Sequence, residues 1–152
     1  MAENAALTVS VVTPEGAAYE GQAHHVVVPA FDGEMAVYAL HTPMVAVLGH
    51  GELRVTLTDG GQQNFYLSGG VLQVADNEVS ILAETVIRSR EVDVAAAQTA
   101  LQTAMETPAV GEVELEARID RIDDARARIR VASRSAGRNE PTADQILEKP
   151  VE

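Results

Sequence analysis

The sequence predicts an α+β chain: an N-terminal all-β sandwich of short strands, followed by a C-terminal antiparallel α-helical hairpin. Three observations carry that expectation. The apolar period is two in the first part of the chain and helical from residue 91 onward. Nine of the eleven glycines precede residue 71, so turn chemistry is concentrated in the first part. Charge divides at the same place. Residues 1–87 hold ten acids against one base, Arg54, for a net of −9, and residues 88–152 hold ten bases against thirteen acids, for a net of −3. The predicted organisation is a sandwich over 1–87, a hairpin over 88–135 and a disordered tail over 136–152.

In chain order, Leu7, Val9 and Val11 alternate with Thr8 and Ser10, and Leu53, Val55 and Leu57 alternate with Arg54, Thr56 and Thr58, which is the pattern of half-buried strands. Further β-rich runs are His25–Val28, Asn64–Leu67, Val71–Ala75 and Val79–Ala83. Turn residues separate them at Pro14-Glu15-Gly16, Asp32-Gly33, Asp59-Gly60-Gly61, Ser68-Gly69-Gly70 and Asp76-Asn77. Short strands at such spacing specify a sandwich or flattened barrel. From Glu91, Val94, Ala97, Leu101 and Ala104 fall at helical spacing, and Thr107-Pro108 with Gly111 marks a short loop. A second stripe follows through Leu115, Ile119, Ile122 and Ile129, with Ala125 and Ala132 beside it. Glu112, Glu114 and Glu116 load the start of that helix and Arg126, Arg128 and Arg130 its end, as the helix dipole favours. The hairpin is poor in large apolar side chains, so it is expected to lean on the sandwich or on a partner.

Composition excludes several functions. The chain has 152 residues and a formal net charge of −12, which argues against nucleic acid as a partner. With no cysteine there is no disulfide framework, thiolate metal site or Cys nucleophile, and with no Trp there are few stacking surfaces. Apolar runs are far shorter than the roughly 20 residues that span a bilayer, and no secretory signal pattern opens the chain. No metal site and no cofactor are expected. His24 and His25 are adjacent, and neighbours on a strand point to opposite faces; His41 and His50 have no acid or Cys at ligand spacing. Ser68-Gly69-Gly70 lacks the Lys and the following helix of a phosphate loop. No nucleophile elbow or triad context surrounds Ser10, Ser68 or Ser80. What rises above background is charge: Arg126, Arg128, Arg130, Arg134 and Arg138 lie in an acid-free stretch. Arginine suits bidentate pairing with carboxylates, so the expected target is an acidic protein surface. From the residues alone, a stand-alone β-sandwich binding module with an oligomerising hairpin fits as well.

The residues also resemble a family. Val11-Val12-Thr13-Pro14-Glu15-Gly16 with Tyr19-Glu20-Gly21 is similar to the opening of the ε subunit of F-type ATP synthase. The likeness continues through Val28-Pro29, Asp32-Gly33-Glu34-Met35, His41-Thr42-Pro43, Gly51-Glu52-Leu53-Arg54-Val55 and Phe65-Tyr66-Leu67-Ser68-Gly69-Gly70, then through Leu72-Gln73-Val74 and Ile81-Leu82-Ala83-Glu84. In order and at the family's spacing, these blocks span nearly all of 9–93; the hairpin resembles the family more in pattern than in residues.

The resemblance implies a β-sandwich of about ten short strands followed by two helices, in a central-stalk rotor subunit with no active site, which couples rotation of the c-subunit ring through γ to ATP synthesis by α and β. It implies helices that extend toward α and β to restrain ATP hydrolysis, and attachment to the cytoplasmic face of a bacterial inner membrane only through the complex. By the same resemblance, Glu34, His41, Thr42 and Pro43 face the c ring, and Arg126, Arg128 and Arg130 meet an acidic region of β. The chain departs from the pattern at Ala36, where Gly is usual, and at Tyr38-Ala39, where Leu-Pro precedes the His. Some members bind ATP through Ile/Leu-Asp-x-x-Arg-Ala; here Val92-Asp93-Val94-Ala95-Ala96-Ala97 keeps Asp93 but has Ala96 in place of Arg, so ATP binding is expected to be weak or absent.

Overall fold

The structure, a computed structural model, describes residues 5–137. Its elements are β1 (Leu7–Thr13), β2 (Gly16–Ala23), β3 (His25–Ala30), β4 (Gly33–Tyr38), β5 (Met44–Leu48), β6 (Gly51–Thr56), β7 (Gln62–Ala75), β8 (Glu78–Arg88), a 3₁₀ turn at Ser89–Glu91, α1 (Val94–Glu106) and α2 (Glu112–Gly137). The two layers share β7 and β8. In one, β2 pairs antiparallel with β1, β1 parallel with the first part of β8, and the second part of β7 pairs with both β8 and β5. In the other, β4 pairs with β3, β3 with β6, and β6 with the first part of β7.

The class is as expected, but eight strands among the described residues stand where about ten were expected. Part of the difference is local. The Ser68-Gly69-Gly70 segment, read as a turn, is a corner inside one continuous strand. Gly69 and Gly70 take φ of +56° and +143° there. A Cβ on Gly70 would sit 2.1 Å from the Leu82 carbonyl oxygen, so only glycine lets β7 pass β8 at the bend. The pairing resumes past the corner, from Gly70↔Ala83 to Ser68↔Thr85.

Alternation fills the interior. Leu7, Val9 and Val11 from β1, Val26 and Val28 from β3, Leu53 and Val55 from β6, Phe65 and Leu67 from β7, and Val79 and Ile81 from β8 form one buried cluster. The helices follow. Asp93 is the N-cap of α1, its Oδ1 accepting from the Ala96 amide at 3.0 Å. The Arg118 guanidinium donates to the Ala104 and Met105 carbonyls at 2.8 and 2.6 Å and so satisfies the free end of α1. α1 packs against α2, with Ala97 and Ala104 as its buried residues.

On α2 the observed face differs from the expected stripe. Leu115 and Ile119 are about half exposed, while Ala125, Ala127, Val131 and Ser135 are buried. The helix lies between α1 and the sandwich, so its tight face carries small residues that a search for large apolar ones passes over. It is described as far as Gly137. The remainder of the tail expected to be disordered, together with Arg138, lies outside the described residues.

Candidate functional site

The seat of α2 is the outer face of β6 and β7. Inward residues of these strands build the core, so their alternates, Glu52 and Arg54 on β6 and Asn64, Tyr66 and Ser68 on β7, face outward. Glu52 and Tyr66 are direct cross-strand partners. Tyr66 is fully buried beneath Ala127 and Val131 of α2 and Val92 of the connecting segment. The Arg128 guanidinium carbon stands 4.7 Å from the Tyr66 ring centroid, a cation–π contact, and its Nε donates to Asp124 Oδ2 at 3.1 Å.

Two polar clusters flank this seat. In the first, Arg54, the only base of residues 1–87, forks onto Glu34 through Nη1 and Nη2 at 3.2 and 3.1 Å and reaches Glu52 at 3.0 Å. Arg134 of α2 joins them, 3.5 Å from Glu34 and 3.9 Å from Glu52. The Arg54 hydrogen bonds, above all, hold the Glu34 carboxyl below its ordinary value, and the Glu34 contact chiefly raises the Arg54 guanidinium's hold on its proton. In the second cluster His50, between β5 and β6, places Nε2 2.8 Å from Asp120 Oδ1, and Nδ1 3.2 Å from Ser68 Oγ and 3.6 Å from Asp124 Oδ1. A cleft of about 600 Å³ opens between His50, the exposed Phe31, Glu84 and the α2 side chains Asp120, Asp123, Arg126 and Arg130.

The residues singled out in the sequence separate into three places. Glu34 lies at the start of β4, bound to Arg54 and Arg134. His41, Thr42 and Pro43 follow the other end of β4, which at about 3.3 Å per residue lies about 13 Å away. There the His41 ring Nδ1–H donates to the Thr42 carbonyl at 2.7 Å. Leu40, at φ +63°, donates its amide to Asn77 Oδ1, and the Asn77 amide donates to the Ala6 carbonyl, tying this loop to the β7–β8 turn. Among the arginines, Arg128 is engaged on Tyr66 and Asp124, whereas Arg126 and Arg130 are exposed and line the cleft. Asp93 is occupied as a helix cap, and Ala96 is exposed in the first turn of α1. His50, Arg54 and Tyr66 are not singled out by the sequence, and Arg134 only as one of the arginine cluster; alternation places Arg54 and Tyr66 on an outer face, but nothing local says that a helix covers it.

His24 and His25 correct one expectation. They do not point apart, because His24 occupies the bend between β2 and β3 rather than a strand position. Their Nδ1 atoms lie 2.8 Å apart, one N–H donating to the other's lone pair, and Tyr38 stacks on His25 at 4.7 Å. Burial, then the His24 and Arg54 charges, hold the His25 imidazole below the ordinary histidine range. Among the described residues no three His, Cys, Asp or Glu side chains gather as metal ligands, and no helix is long and apolar enough to cross a membrane.

The fold and this seat define a two-part protein: a β-sandwich with a helical hairpin packed on one outer face over a tyrosine, two acids and a histidine. Its residues 6–89 match the family model of the ATP synthase Delta/Epsilon chain, beta-sandwich domain, and the chain belongs to that family. It is 39% identical over 100 residues to the ATP synthase epsilon chain of Alkalilimnicola ehrlichii, covering 66% of this chain and 71% of that one. To ATP synthase epsilon chain 2 of Ralstonia nicotianae it is 37% identical over 126 residues, 83% of this chain and 86% of the other, a stretch too long to be confined to the sandwich. In fold it is similar to a chain of the cryo-EM structure of Euglena gracilis mitochondrial ATP synthase (OSCP, F1 and c-ring in rotational state 1), with a TM-score of 0.72, 20% identity, and coverage of 88% of this chain and 82% of that one.

Proposed function

We propose that this chain is a non-catalytic rotor subunit in the central stalk of a proton-translocating ATP synthase. It couples c-ring rotation through γ to ATP synthesis, and its hairpin restrains ATP hydrolysis at α and β. The observation that carries the reading is the match to epsilon chains over the sandwich and into the hairpin. Surface chemistry supports it. Val47, Val71 and Leu82 are in register across β5, β7 and β8, and all three are exposed, an apolar row suited to a protein partner such as γ.

The positions assigned to the c ring, Glu34 and His41-Thr42-Pro43, lie at opposite ends of β4 and form two footprints. The Phe31–Glu34 end, with Phe31 85% exposed, suits the ring. The His41–Pro43 loop leads directly into β5 and its exposed row, and suits γ. Arg126 and Arg130, exposed and without an ion pair among the described residues, are the available contacts to an acidic region of β, with Arg128 joining them once it leaves Tyr66. ATP binding is weak or absent in this reading, because Asp93 caps the helix and Ala96 offers no guanidinium; calorimetry showing micromolar affinity overturns that part. The protein sits peripherally, through the complex alone, at the cytoplasmic face of a bacterial inner membrane, and needs no cofactor.

The test is ATP hydrolysis by a cognate α, β and γ assembly with this chain added whole or truncated after Arg90. Binding of both forms with slowing by the whole chain alone supports an inhibitory hairpin. Equal behaviour leaves a coupling subunit without inhibition, and failure of both forms to bind overturns the assignment.

A further inference from the structure

We propose that His50 is a proton-sensitive clasp that holds the hairpin on the sandwich more tightly as pH falls. The argument is one of hydrogen-bond supply. Asp124 Oδ1 is buried and has no hydrogen-bond donor among the described residues, and His50 Nδ1 lies 3.6 Å from it. A neutral imidazole has one N–H. With Nε2–H directed to Asp120 Oδ1 at 2.8 Å, Nδ1 presents a lone pair to Ser68 Oγ and to the Asp124 carboxylate. The Ser68 hydroxyl can satisfy that lone pair; Asp124 Oδ1 then faces it with no proton between. Only the imidazolium supplies both acids, gaining charge attraction and a donor where the buried carboxylate lacks one.

Charged groups face the ring from several elements. α2 contributes Asp120, Asp123 and Asp124 against Arg126 and Arg130, β8 contributes Glu84, and the adjoining side of the seat holds Glu34 and Glu52 with Arg54 and Arg134. Arg128 is committed to the other Asp124 oxygen and to Tyr66. Acids therefore outnumber bases about His50, and the two closest belong to the helix that has to leave if the hairpin extends. Histidine is the side chain whose ordinary titration falls between pH 5 and 8. A rise in proton concentration thus favours the docked hairpin, and a fall releases it. The clasp deepens the reading of the hairpin as a regulatory element and depends on it only for its physiological consequence.

Native-state hydrogen exchange on the full chain tests the clasp separately from inhibition. Protection factors at the Ala127 and Val131 amides, compared at pH 6.0 and 8.0, are expected to be about three- to tenfold higher at the lower pH. The Val9 and Ile81 amides in the sandwich core serve as the internal reference for global stability. His50→Gln is expected to bring the pH ratio to one. Asp124→Asn, whose amide can donate to the neutral ring, is expected to shrink it as well. Equal protection at both pH values in the unaltered chain overturns the clasp, and so does a ratio that survives in His50→Gln. A residual dependence from His25 has the opposite sign, since a histidine held below its ordinary range costs stability as pH falls. A chain that shows the ratio yet fails to inhibit hydrolysis keeps the clasp and loses the inhibitory role.

Discussion

Glu34 shows how one side chain can be drawn into several duties. It is the outer acid of a fork with Arg54 and the nearest sandwich acid to Arg134, and the Arg54 hydrogen bonds lower its pKa. A folded-state value below the unfolded one means that Glu34 contributes stability above the ordinary carboxylate range, and that the contribution is lost as pH falls through the folded value. The expected outcome of a carbon-detected NMR titration is a Glu34 midpoint below the ordinary glutamate value, returning toward it in Arg54→Gln; an unmoved midpoint in that variant contradicts the fork. Gly70 makes a backbone counterpart. Its positive φ is strained for any L side chain, and the Leu82 carbonyl occupies the place of a Cβ. Gly70→Ala is therefore expected to cost about 3 kcal/mol or more in chemical denaturation, far above the cost at Gly60, which has a positive φ but open space. Equal losses at the two positions would assign the effect to backbone strain alone.

At the scale of elements, the hairpin stays down because α2 closes over Tyr66, not because the helices carry a core of their own. The Tyr66 hydroxyl is buried without a hydrogen bond among the described residues, so the ring, not the oxygen, makes the seat. Tyr66→Phe is expected to leave docking intact or strengthen it by about 1 kcal/mol, while Tyr66→Ala opens a cavity beneath Ala127 and Val131 and raises amide exchange along α2. Weakened docking in Tyr66→Phe would place an unseen partner on the hydroxyl. This seat marks the limit of what is legible in the sequence. Period two identified the strands and their inward faces because half-burial writes itself into alternation. It could not show that β7 and β8 run through a glycine corner, since Gly69-Gly70 reads the same in a turn. Helical spacing found both helices, but the sandwich-facing stripe of α2 is Ala127, Val131 and Ser135, too small to stand out beside Leu115 and Ile119. The arginine cluster was visible as charge. Its division between Arg128 and Arg134, engaged on the sandwich, and Arg126 and Arg130, exposed, depends on which strand residues lie opposite.

In the whole molecule that division sets up a competition. The sandwich offers Glu34, Glu52 and the Tyr66 ring to the same helix that, in the proposed function, must reach an acidic surface on β. Whatever holds α2 down subtracts from the population able to inhibit, and whatever α2 presents to β adds to the affinity of that population. Arginines a turn or two apart on one helix should therefore act in opposite directions. Arg134→Ala removes a sandwich contact, and is expected to strengthen inhibition of ATP hydrolysis about two- to fivefold, read as the concentration of this chain that halves the rate of an α, β and γ assembly. The double change Arg126→Ala with Arg130→Ala leaves the Glu34 and Glu52 contacts in place and is expected to weaken inhibition by at least as much, with α2 amide protection unaltered. Arg128→Ala touches both states, because its guanidinium covers Tyr66 when docked, and its net effect should be smaller than either. If all three variants weaken inhibition together, the arginines form one undivided patch for the partner and the docked hairpin does not compete with it. If Arg134→Ala alone strengthens inhibition, the sandwich is an internal rival for the partner's site, and the acids of residues 1–87 act as the restraint that the basic end of α2 must escape.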